Sequence, residues 1–256
     1  MTQTSPSPAY PLALSVFFPC YNEQDNIAPL TRKTASLLEG LAADWEIIIV
    51  DDGSRDRTAA VADALAAEDP RIRVVHHGAN KGYGMALRSG FAAASKQYVF
   101  YTDGDGQFDV AELPKLLDRI GSADIVSGCR RNRQDPLMRK INGACWSWLV
   151  QRMLRFRCRD VDSAFKLYRR EIFDRIELKS TGALIDAEVL ARAAHLGYRI
   201  QTVPVQHLPR KAGTQTGAKL RVILRAFKEL LRLRRDILGK GVRNLLRSPT
   251  KPNPLR

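Results

Sequence analysis

The sequence has few cysteines and no long apolar run, and both shortages narrow the class of protein. Its 4 cysteines stand apart without C-x-x-C spacing, which argues against a zinc cluster and against a disulfide framework. No stretch approaches the roughly 18 consecutive apolar residues of a membrane span. The first eleven residues contain three prolines and no basic segment before an apolar one, unlike a signal peptide. We therefore expect a soluble or peripheral cytoplasmic protein with reduced thiols.

Acidic residues are scarce toward the C-terminus, so the positive charge is localised. The formal net charge is +14, and residues 207–256 contain 14 Lys or Arg against only Glu229 and Asp236. A second basic cluster spans residues 130–159, with Asp135 as its one acid. Localised positive charge attracts anionic partners. Nucleic acid is one such partner, but no nucleic-acid-binding module is recognisable, so we favour a phosphorylated substrate or an anionic membrane surface.

Apolar runs of strand length alternate with helical patterns along the chain. This alternation is typical of βαβ units with a mainly parallel sheet, and 256 residues suffice for one α/β domain with an appendage. The predicted strands are 12–18, 46–50, 72–76, 98–102, 125–127, 164–168 and 200–205. The predicted helices are 26–41, 58–67, 84–94, 111–120, 141–154, 184–195 and 218 to about 238. Pro204 predicts an edge position for the last strand, because proline cannot donate to a neighbouring strand.

Three loops after predicted strands are unusual in composition. They are residues 19–23 (PCYNE), 51–56 (DDGSRD) and 103–107 (DGDGQ), after the first, second and fourth strands. Ligands of such sheets bind beyond the carboxyl ends of the strands. We therefore expect the functional site where these three loops meet.

The loop at 103–107 carries two carboxylates with one residue between them. In an extended segment Asp103 and Asp105 point the same way and can converge on one hard cation. Oxygen ligands with open positions suit Mg²⁺ or Mn²⁺, which bridge substrate phosphates. Gly104 and Gly106 would let the backbone approach a ligand closely. Asp-Gly pairs are also common turn formers, so the alternative is an ordinary turn.

The other two loops also admit two interpretations each. Asp51 and Asp52 could accept hydrogen bonds from a nucleobase or from ribose hydroxyls. Alternatively, Asp52 or Ser54 would be the N-cap of the following helix. Pro19 and Tyr21 could offer a rigid corner and a ring to a base, or could be turn and packing residues.

Four segments together resemble family 2 of the inverting glycosyltransferases. They are residues 18–23 (FPCYNE), 50–58 (VDDGSRDRT), 80–84 (NKGYG) and 103–107 (DGDGQ), in that order. The resemblance is strongest to the dolichol-phosphate mannose synthase branch and its bacterial polyprenyl-phosphate relatives, and it covers about residues 12–215. It implies a GT-A fold, which is a Rossmann-like nucleotide-sugar-binding α/β fold with helices flanking a mainly parallel sheet. It also implies a metal-dependent hexosyltransferase that uses Mg²⁺ or Mn²⁺.

The resemblance assigns the donor half of the site. The residues implied to contact the nucleotide-sugar are Pro19, Tyr21, Glu23, Asp51, Asp52, Lys81, Asp103 and Gln107. The implied metal and diphosphate ligands are Asp103, Asp105 and Gln107, and Asp105 is also implied to be catalytic. Residues 160–170 (DVDSAFKLYRR) resemble the family motif D-x-x-S-G-F-x-x-x-R-R, with Ala164 in place of the glycine. Asp160 and Asp162 are alternatives for contacting the donor sugar, and His207 for binding the diphosphate.

The acceptor half of the site has two interpretations. A phosphate acceptor is already an anion and needs positioning by arginines, for which Arg130, Arg139 and Arg210 are the candidates. A sugar hydroxyl needs a general base, for which Asp186 or Glu188 is the candidate. Both acids could instead be helix N-terminal residues favoured by the dipole. We favour a polyprenyl phosphate.

The C-terminal signature departs from the lipid-phosphate branch. Residues 210–217 keep the Arg and Gly of its R-x-x-G-x-S-K motif, but Gln215 and Thr216 replace the Ser-Lys. This departure weakens the inference of a mannosyl donor and a dolichol-like acceptor.

The last predicted helix is basic and amphipathic. Its apolar residues keep one face, and another face carries Arg221, Arg225, Lys228, Arg232 and Arg235. Such a helix would lie in an anionic membrane surface, or it would pack on the domain with a solvated basic back. We expect a flexible N-terminus over 1–11, the glycosyltransferase domain over 12–217, the helical appendage over 218–247 and a flexible tail over 248–256. The protein would be peripheral to the inner face of the membrane, where a membrane protein or a second copy could be a partner.

Overall fold

The computed structural model describes residues 8–131, 137–208 and 220–245, apart from the side chains of residues 137–142, 220–225 and 240–245. A seven-stranded sheet of order β3-β2-β1-β4-β6-β5-β7 forms its centre. The strands are β1 (Tyr10–Cys20), β2 (Ala42–Asp51), β3 (Ile72–His76), β4 (Tyr98–Thr102), β5 (Ile125–Arg131), β6 (Phe165–Arg169) and β7 (Ile200–Gln206). The sheet confirms the predicted α/β class.

One reversed strand divides the otherwise parallel sheet. Strands β1 to β4 pair in parallel, and β5 pairs in parallel with β7. Strand β6 runs antiparallel to both of its neighbours, β4 and β5. Because β1, β2 and β4 are parallel neighbours, their carboxyl ends lie at the same edge of the sheet. The three predicted loops therefore emerge side by side.

The helices cover both faces of this sheet. They are α1 (Ile27–Leu41), α2 (Thr58–Glu68), α3 (Tyr83–Ala93), α4 (Pro114–Ile120), α5 (Leu137–Leu154), α6 (Glu171–Arg175), α7 (Ile185–His195) and α8 (Leu220–Leu245). The short α6 was not predicted. The helix predicted over 111–120 is instead a 3₁₀ turn, Val110–Glu112, followed by α4. Pro114 begins α4 because its missing amide hydrogen is tolerated in the first turn.

The apolar runs of the strands form the core. The β2 residues Ile47, Ile48 and Ile49 are fully buried, as a strand covered on both faces requires. The rings of Phe17 and Tyr101 stack with centroids 5.4 Å apart. Full burial of such a side chain contributes roughly 1.5–3 kcal/mol, so the strands form a rigid support for the loops at their ends.

The first strand differs in extent from the prediction, whereas the last strand lies where it was predicted. Strand β1 already begins at Tyr10, inside the segment expected to be flexible. Strand β7 lies at the edge of the sheet, with Pro204 exposed, which confirms the predicted edge position.

Helix α8 packs on the rest of the domain, against α5 and α7. Its carboxylate Asp236 accepts hydrogen bonds from Arg192 at 2.5 Å and from Lys179 at 3.0 Å. Among the residues of this helix whose side chains are described, 226–239, the buried apolar ones are Leu230, Leu233 and Ile237.

Part of α8 remains exposed. Phe227 and Leu231 are 41% and 52% exposed, and Lys228 and Arg232 are exposed beside them. Packing on the domain, one of the two alternatives for this helix, therefore holds for one of its faces. None of the helices in the described ranges combines the length and apolar character needed to cross a bilayer.

Candidate functional site

Hydrogen bonds join the loops after β1 and β2. The amide of Asn22 donates to Oγ of Ser54 at 3.0 Å, and Oδ1 of Asn22 accepts from the amide of Arg55 at 2.8 Å. One residue further, the amide of Glu23 donates to Oγ1 of Thr58 at 2.8 Å. Asn22 has φ 57°, a left-handed conformation that asparagine tolerates better than most residues. The first two loops thus form one layer.

Asp52 fastens a third segment to this layer. Its Oδ1 accepts from the amide of Lys81 at 2.9 Å, and its Oδ2 accepts from the amide of Gly82 at 2.9 Å. The Nδ1 of His77 lies 2.6 Å from Oδ1 of Asp52, and Nε2 of His77 lies 2.8 Å from Oγ of Ser89. Asp52 is 3% exposed. Its carboxylate therefore shapes the loop at 80–84.

Neither of the alternative helix caps is observed. Helix α2 has Arg57 at its N-cap, and Asp56 accepts from the amide of Thr58 at 2.9 Å. The Oδ1 of Asp51 instead accepts from the amide of Ser54 at 3.0 Å, closing a turn within the loop. The interpretation of Asp52 or Ser54 as an N-cap is therefore wrong.

His76 bridges two acids behind Asp51. Its Nδ1 lies 3.3 Å from Oδ2 of Asp51, and its Nε2 lies 2.9 Å from Oδ1 of Asp63. The hydrogen bond to Asp63 raises the pKa of His76, burial opposes this, and the bond to Asp51 adds to it. The second strand-end loop is thus supported by neighbouring histidines, His76 on Asp51 and His77 on Asp52.

The loop after β4 lies against the loop after β1. The amide of Gly104 donates to the carbonyl of Pro19 at 3.4 Å. A Cβ at position 104 would lie 2.6 Å from Sγ of Cys20. The glycine at 104 therefore permits close contact with Cys20 rather than with a ligand. Gly106 has φ +69° and open space around it, so it is the glycine that leaves room at this loop.

Asp103 lies in a setting that disfavours its charged form. Its Oδ1 accepts from the hydroxyl of Tyr83 at 3.0 Å. Burial first, and then the charge of Asp105, raise its pKa to about 7, with Asp186 adding to the effect. Two neighbouring carboxylates that repel each other gain from a cation placed between them. The pair therefore fits a divalent cation.

Asp105 closes a turn within the same loop, and Gln107 ties the loop to the segment after β7. The Oδ1 of Asp105 accepts from the amide of Gln107 at 3.0 Å. The amide of Leu208 donates to the carbonyl of Gln107 at 2.8 Å, and Nε2 of Gln107 donates to the carbonyl of Leu208 at 3.3 Å. The neighbouring His207 bridges to Phe108 in antiparallel fashion. His207 thus lies beside the loop.

Cys20 marks the point where the carboxylates meet. Burial raises its pKa well above the usual thiol value, and the negative charges around it add to the shift. Those charges belong to Glu23, Asp51, Asp103 and Asp105. The structure therefore brings together acids from all three predicted loops.

The remaining predicted donor contacts differ in exposure. Pro19 is buried in β1, opposite Val50. Tyr21 is 40% exposed. Glu23 is 8% exposed and accepts from Nδ2 of Asn26 at 2.7 Å. Lys81 is exposed, and Asp103 and Gln107 are half-buried, so Tyr21 and Lys81 are the most accessible of the predicted donor contacts.

Arg130 lies in a fork-like pair with Asp160. Its Nε and NH2 groups donate to the two carboxylate oxygens, both at 2.8 Å, and its amide donates to Oδ2 at 3.1 Å. Burial raises the pKa of Asp160, but the hydrogen bonds and charge of Arg130 outweigh it, so the net shift is downward. Asp160 therefore orients Arg130. The Arg139 side chain and the whole of Arg210 lie outside the described residues.

Asp186 is buried in a hydrogen-bonded cluster with Lys166 and Tyr101. The Nζ of Lys166 lies 2.7 Å from Oδ1 of Asp186 and donates to the hydroxyl of Tyr101 at 3.2 Å. The Tyr101 hydroxyl also donates to Oδ1 of Asp186. Lys166 is 0% exposed and Asp186 is 4% exposed. The negative charge of Asp186 is thus balanced within the protein.

Glu188, the other candidate base, is fully engaged. It accepts from the amide of Ser180 at 2.7 Å, from that of Lys179 at 3.0 Å and from Nε of Arg192 at 2.8 Å. It is 0% exposed. Its contacts hold the chain segment that precedes α7.

Three functional candidates were missed by sequence reasoning. They are His77, Tyr83 and Lys166, which support Asp52, Asp103 and Asp186 respectively. Tyr83 lies in the recognised segment at 80–84, and this gave a signal that could have been used. Lys166 lies in the segment 160–170 that resembles a family motif, but at a variable position of that motif, and His77 lies outside the recognised segments. Neither pairing could therefore be read from the sequence.

The protein would supply few ligands to a bound metal ion. Across the described ranges, no three His, Cys, Asp or Glu side chains are grouped so as to hold a metal ion. Substrate phosphates and water would have to complete a shell begun by Asp103 and Asp105, as is usual for Mg²⁺.

Comparisons with known proteins agree with this geometry. A model of the family described as Glycosyl transferase family 2 matches residues 15–177. The chain is 35% identical over 238 residues to glycosyltransferase AglD of Haloferax volcanii, covering 89% of this chain and 36% of that protein. It is 32% identical over 216 residues to undecaprenyl-phosphate 4-deoxy-4-formamido-L-arabinose transferase of Salmonella choleraesuis, covering 82% of this chain and 64% of that one. The chain thus spans less than two thirds of the length of either relative.

Solved structures share the fold. Glucosyl-3-phosphoglycerate synthase from Mycobacterium tuberculosis, in complex with Mn²⁺, UDP and glucosyl-3-phosphoglycerate, superposes with TM-score 0.67 at 20% identity, covering 89% of this chain and 80% of that chain. The same protein with Mg²⁺ and UDP gives TM-score 0.66 at 18% identity, with the same coverage. Together with the family match, these likenesses show the GT-A fold.

Proposed function

The chain belongs to glycosyl transferase family 2, and on that premise we propose that it transfers a hexose from a GDP- or UDP-sugar to a polyprenyl phosphate, with inversion at the anomeric carbon. One relative, an undecaprenyl-phosphate transferase, supports this acceptor class by its name. Departure of the nucleotide diphosphate and attack by an acceptor oxygen make up the reaction. The residues of the site divide between these two halves.

The donor half is supported by the carboxylates gathered around Cys20. Tyr21 and Lys81 provide exposed surface for the nucleotide, and Asp51 and Asp52 hold the loops that shape its site. The buried residues Pro19 and Glu23 lie at the end of β1 and in the loop after it, which is hydrogen-bonded to the loop that follows β2.

A divalent cation fits the loop after β4. Asp103 and Asp105 would hold it, because a cation would relieve the repulsion that raises the pKa of Asp103. Gln107 would add its amide oxygen, since its amide nitrogen already donates to Leu208. When bound, Mg²⁺ or Mn²⁺ supplies positive charge to stabilise the departing diphosphate.

The observation that carries the acceptor assignment is the engagement of both candidate bases. The charge of Asp186 is balanced by Lys166, and Glu188 accepts hydrogen bonds from three donors, the amides of Lys179 and Ser180 and Nε of Arg192. A hydroxyl acceptor would need one of them to remove a proton. A phosphate acceptor needs no base, and it can be oriented by Arg130, whose guanidinium is preset by Asp160.

Arg139 and Arg210 complete the proposed phosphate-binding set. Their place rests on the sequence, where they follow β5 and β7 respectively. Asp186, predicted to be catalytic, takes a positioning role in this proposal, because its contacts link β4, β6 and α7 beneath the site.

The proposed location is the inner face of the membrane, with the protein bound peripherally. The proposed acceptor is embedded in the bilayer, and α8 exposes Phe227 and Leu231 next to Lys228 and Arg232. This combination of apolar and basic side chains suits a membrane interface.

A transfer assay tests the proposal. The protein is given radiolabelled nucleotide-sugars and a polyprenyl phosphate in detergent with Mn²⁺ or Mg²⁺, and we expect label to move into the organic phase. Asp105→Ala should abolish this transfer, while the matched control Asp44→Ala, at an exposed acid on β2, should leave it intact. If no common donor gives a product that can be extracted into the organic phase, the proposal of a polyprenyl-phosphate acceptor is contradicted.

A thermal-shift screen identifies the donor separately. GDP-, UDP- and dTDP-sugars are compared with Mn²⁺ present, because a ligand of the folded state raises the apparent melting temperature. A donor that stabilises the protein without giving lipid product would retain the donor half of the proposal and reject the acceptor half.

A further inference from the structure

A large groove lies between α5, the segment that follows it and β7. Its volume is about 1080 Å³, and its lining includes Trp148, Gln151, Arg152, Arg155, Arg157 and Arg159. We call this feature the arginine groove. No acidic side chain of the described ranges lines it. None of its residues was assigned a role in the transfer reaction above.

Helical spacing and the alternation of an extended segment place four arginines along this groove. Trp148, Arg152 and Arg155 are spaced four and three residues apart, so they share one side of α5 and its C-terminal end. Beyond the helix, Arg155, Arg157 and Arg159 are exposed while the intervening Phe156 and Cys158 are buried. Alternate residues of an extended segment face the same way, so these arginines form a row.

The backbone at the start of this row is unusual. Arg155 follows the end of α5 with φ 58°, and the amide of Phe156 donates to the carbonyl of Gln151 at 3.3 Å. Glycine is the usual residue at such a helix end, because side chains disfavour positive φ. The helix therefore ends at an arginine in a strained conformation, which is consistent with a function for that side chain.

An aromatic side chain borders the groove. Trp148 is 66% exposed, the largest exposed fraction among the large hydrophobic residues of the described ranges. Trp146, two residues earlier, instead packs against Phe227 of α8 at a centroid distance of 5.2 Å. The helix is thus fixed to the domain by one tryptophan and presents the other to solvent. Exposed tryptophan beside arginine is typical of surfaces that enter the headgroup layer of a membrane.

We propose that the arginine groove binds the phosphate headgroups of anionic phospholipids while Trp148 enters the interfacial layer. Clustered guanidinium groups bind phosphate through paired hydrogen bonds, and none of the described residues that line the groove is an acid that would offset their positive charge. The segment 155–159 leads directly to Asp160, which orients Arg130. Lipid bound in the groove would therefore seat the reaction centre close to the bilayer.

This inference rests on the proposed membrane location but not on the transfer reaction. Lipid binding is measured without a nucleotide-sugar, and transfer is measured in detergent without vesicles. Failure of one assay therefore leaves the other interpretable. Asp105→Ala, which should lose transfer, should bind vesicles as the wild type does.

Co-sedimentation with vesicles is the central experiment. The full chain is mixed with vesicles of phosphatidylglycerol and phosphatidylcholine in equal parts, and with vesicles of phosphatidylcholine alone. Each basic residue near an anionic surface contributes roughly fivefold in partitioning. The variant Arg155→Gly/Arg157→Gln/Arg159→Gln should therefore bind the anionic vesicles about 100-fold more weakly. The glycine relieves the strain at position 155, so this variant should fold.

A matched control removes three other exposed arginines. Arg32→Gln/Arg119→Gln/Arg199→Gln loses the same charge from α1, from α4 and from the residue before β7. Loss of binding much smaller than that of the groove variant supports the proposal. Equal losses would show that only net charge matters and would overturn the proposal. A groove variant that binds like the wild type would also overturn it. Equal binding of the wild type to both vesicle types would do the same.

Two further measurements identify the ligand. Brominated lipids should quench tryptophan fluorescence in the wild type and much less in Trp148→Phe, and equal quenching in both would contradict insertion of Trp148. Inorganic phosphate or random duplex DNA at matched ionic strength should not compete with vesicles. Strong competition by either would assign the groove to a soluble anion or to nucleic acid and would reject the lipid.

Discussion

The Nδ1 atom of His77 lies 2.6 Å from Oδ1 of Asp52, and both side chains are 4% exposed. Since an ionised carboxylate only accepts hydrogen bonds, Nδ1 carries the proton, and Nε2 is left to meet the hydroxyl of Ser89. Asp52 in turn accepts from the amides of Lys81 and Gly82. The buried His77 therefore positions Asp52, and Asp52 in turn fixes the loop at 80–84.

Replacement of His77 should weaken donor binding more than turnover. Loss of a hydrogen bond to a charged group costs about 1.5–3 kcal/mol, so His77→Leu should raise the KM for the nucleotide-sugar by about tenfold or more. His77→Asn places an amide near the Nδ1 position and should recover much of the loss. Steady-state kinetics with both variants test this, and a fall in kcat alone would contradict the positioning role.

Gly104 should be intolerant of a side chain because of Cys20. A Cβ at position 104 would lie 2.6 Å from Sγ of Cys20, and such overpacking typically costs about 1–3 kcal/mol. Gly104→Ala should lower the free energy of unfolding by that amount in urea denaturation. The double variant Gly104→Ala/Cys20→Ala should recover stability, since it removes the sulfur. A double variant as unstable as Gly104→Ala would assign the strain to the loop backbone.

Asp103 should make metal-free stability depend on pH. Its pKa is raised to about 7 in the folded protein, by burial and then by Asp105, whereas an unfolded aspartate titrates near 3.9. As pH rises between these values the unfolded chain loses its proton first, so stability falls with rising pH. The free energy of unfolding should not depend on the ionisation of Asp103 below about pH 4.

Urea denaturation in EDTA across this range measures the effect. Asp103→Asn, which cannot ionise, should flatten the decline between about pH 5 and pH 7. Because a proton and a cation compete for the same carboxylate, Mn²⁺ should stabilise the wild type more at high pH than at low pH. A pH profile unchanged in Asp103→Asn would remove this residue as the cause.

The sequence was sufficient to place the loops at 19–23, 51–56 and 103–107, because each follows an apolar run of strand length. Residues 72–76 and 98–102 form strands with the predicted bounds. The family resemblance also holds, since the family match covers residues 15–177. The break at Pro114 could have been read from the sequence, because proline rarely continues a helix.

Other features depend on contacts that local sequence does not encode. Lys166 alternates with apolar residues in β6 and so resembles a solvent-facing strand residue, yet it is fully buried. Its burial depends on Asp186, which arrives from α7. The roles of Asp160 and Arg130 likewise follow from their pairing across 30 residues. The predicted functions of Arg139 and Arg210 remain predictions from the motif alone.

The pair of Lys166 and Asp186 separates the two acceptor classes. Asp186→Asn keeps the shape of the side chain but cannot act as a base. Loss of a general base lowers turnover by about 10²–10⁴-fold, whereas a phosphate acceptor should leave kcat within about tenfold of the wild type. If turnover falls by the larger factor while KM and stability are unchanged, the acceptor is a hydroxyl and Asp186 is its base.

Measurements of unfolding stability in variants of Lys166 and Asp186 distinguish a loss of structure from a loss of catalysis. Lys166→Met alone leaves Asp186 as an uncompensated buried charge, which should destabilise the fold by about 3–5 kcal/mol. Removal of both charges in Lys166→Met/Asp186→Leu should be much milder, because well-packed apolar pairs often replace buried ion pairs with little loss. A double variant that folds and still transfers sugar to a polyprenyl phosphate would show that the pair supports the site without taking part in proton transfer. A folded but inactive double variant, with donor binding retained in the thermal-shift assay, would place Asp186 in the chemistry after all.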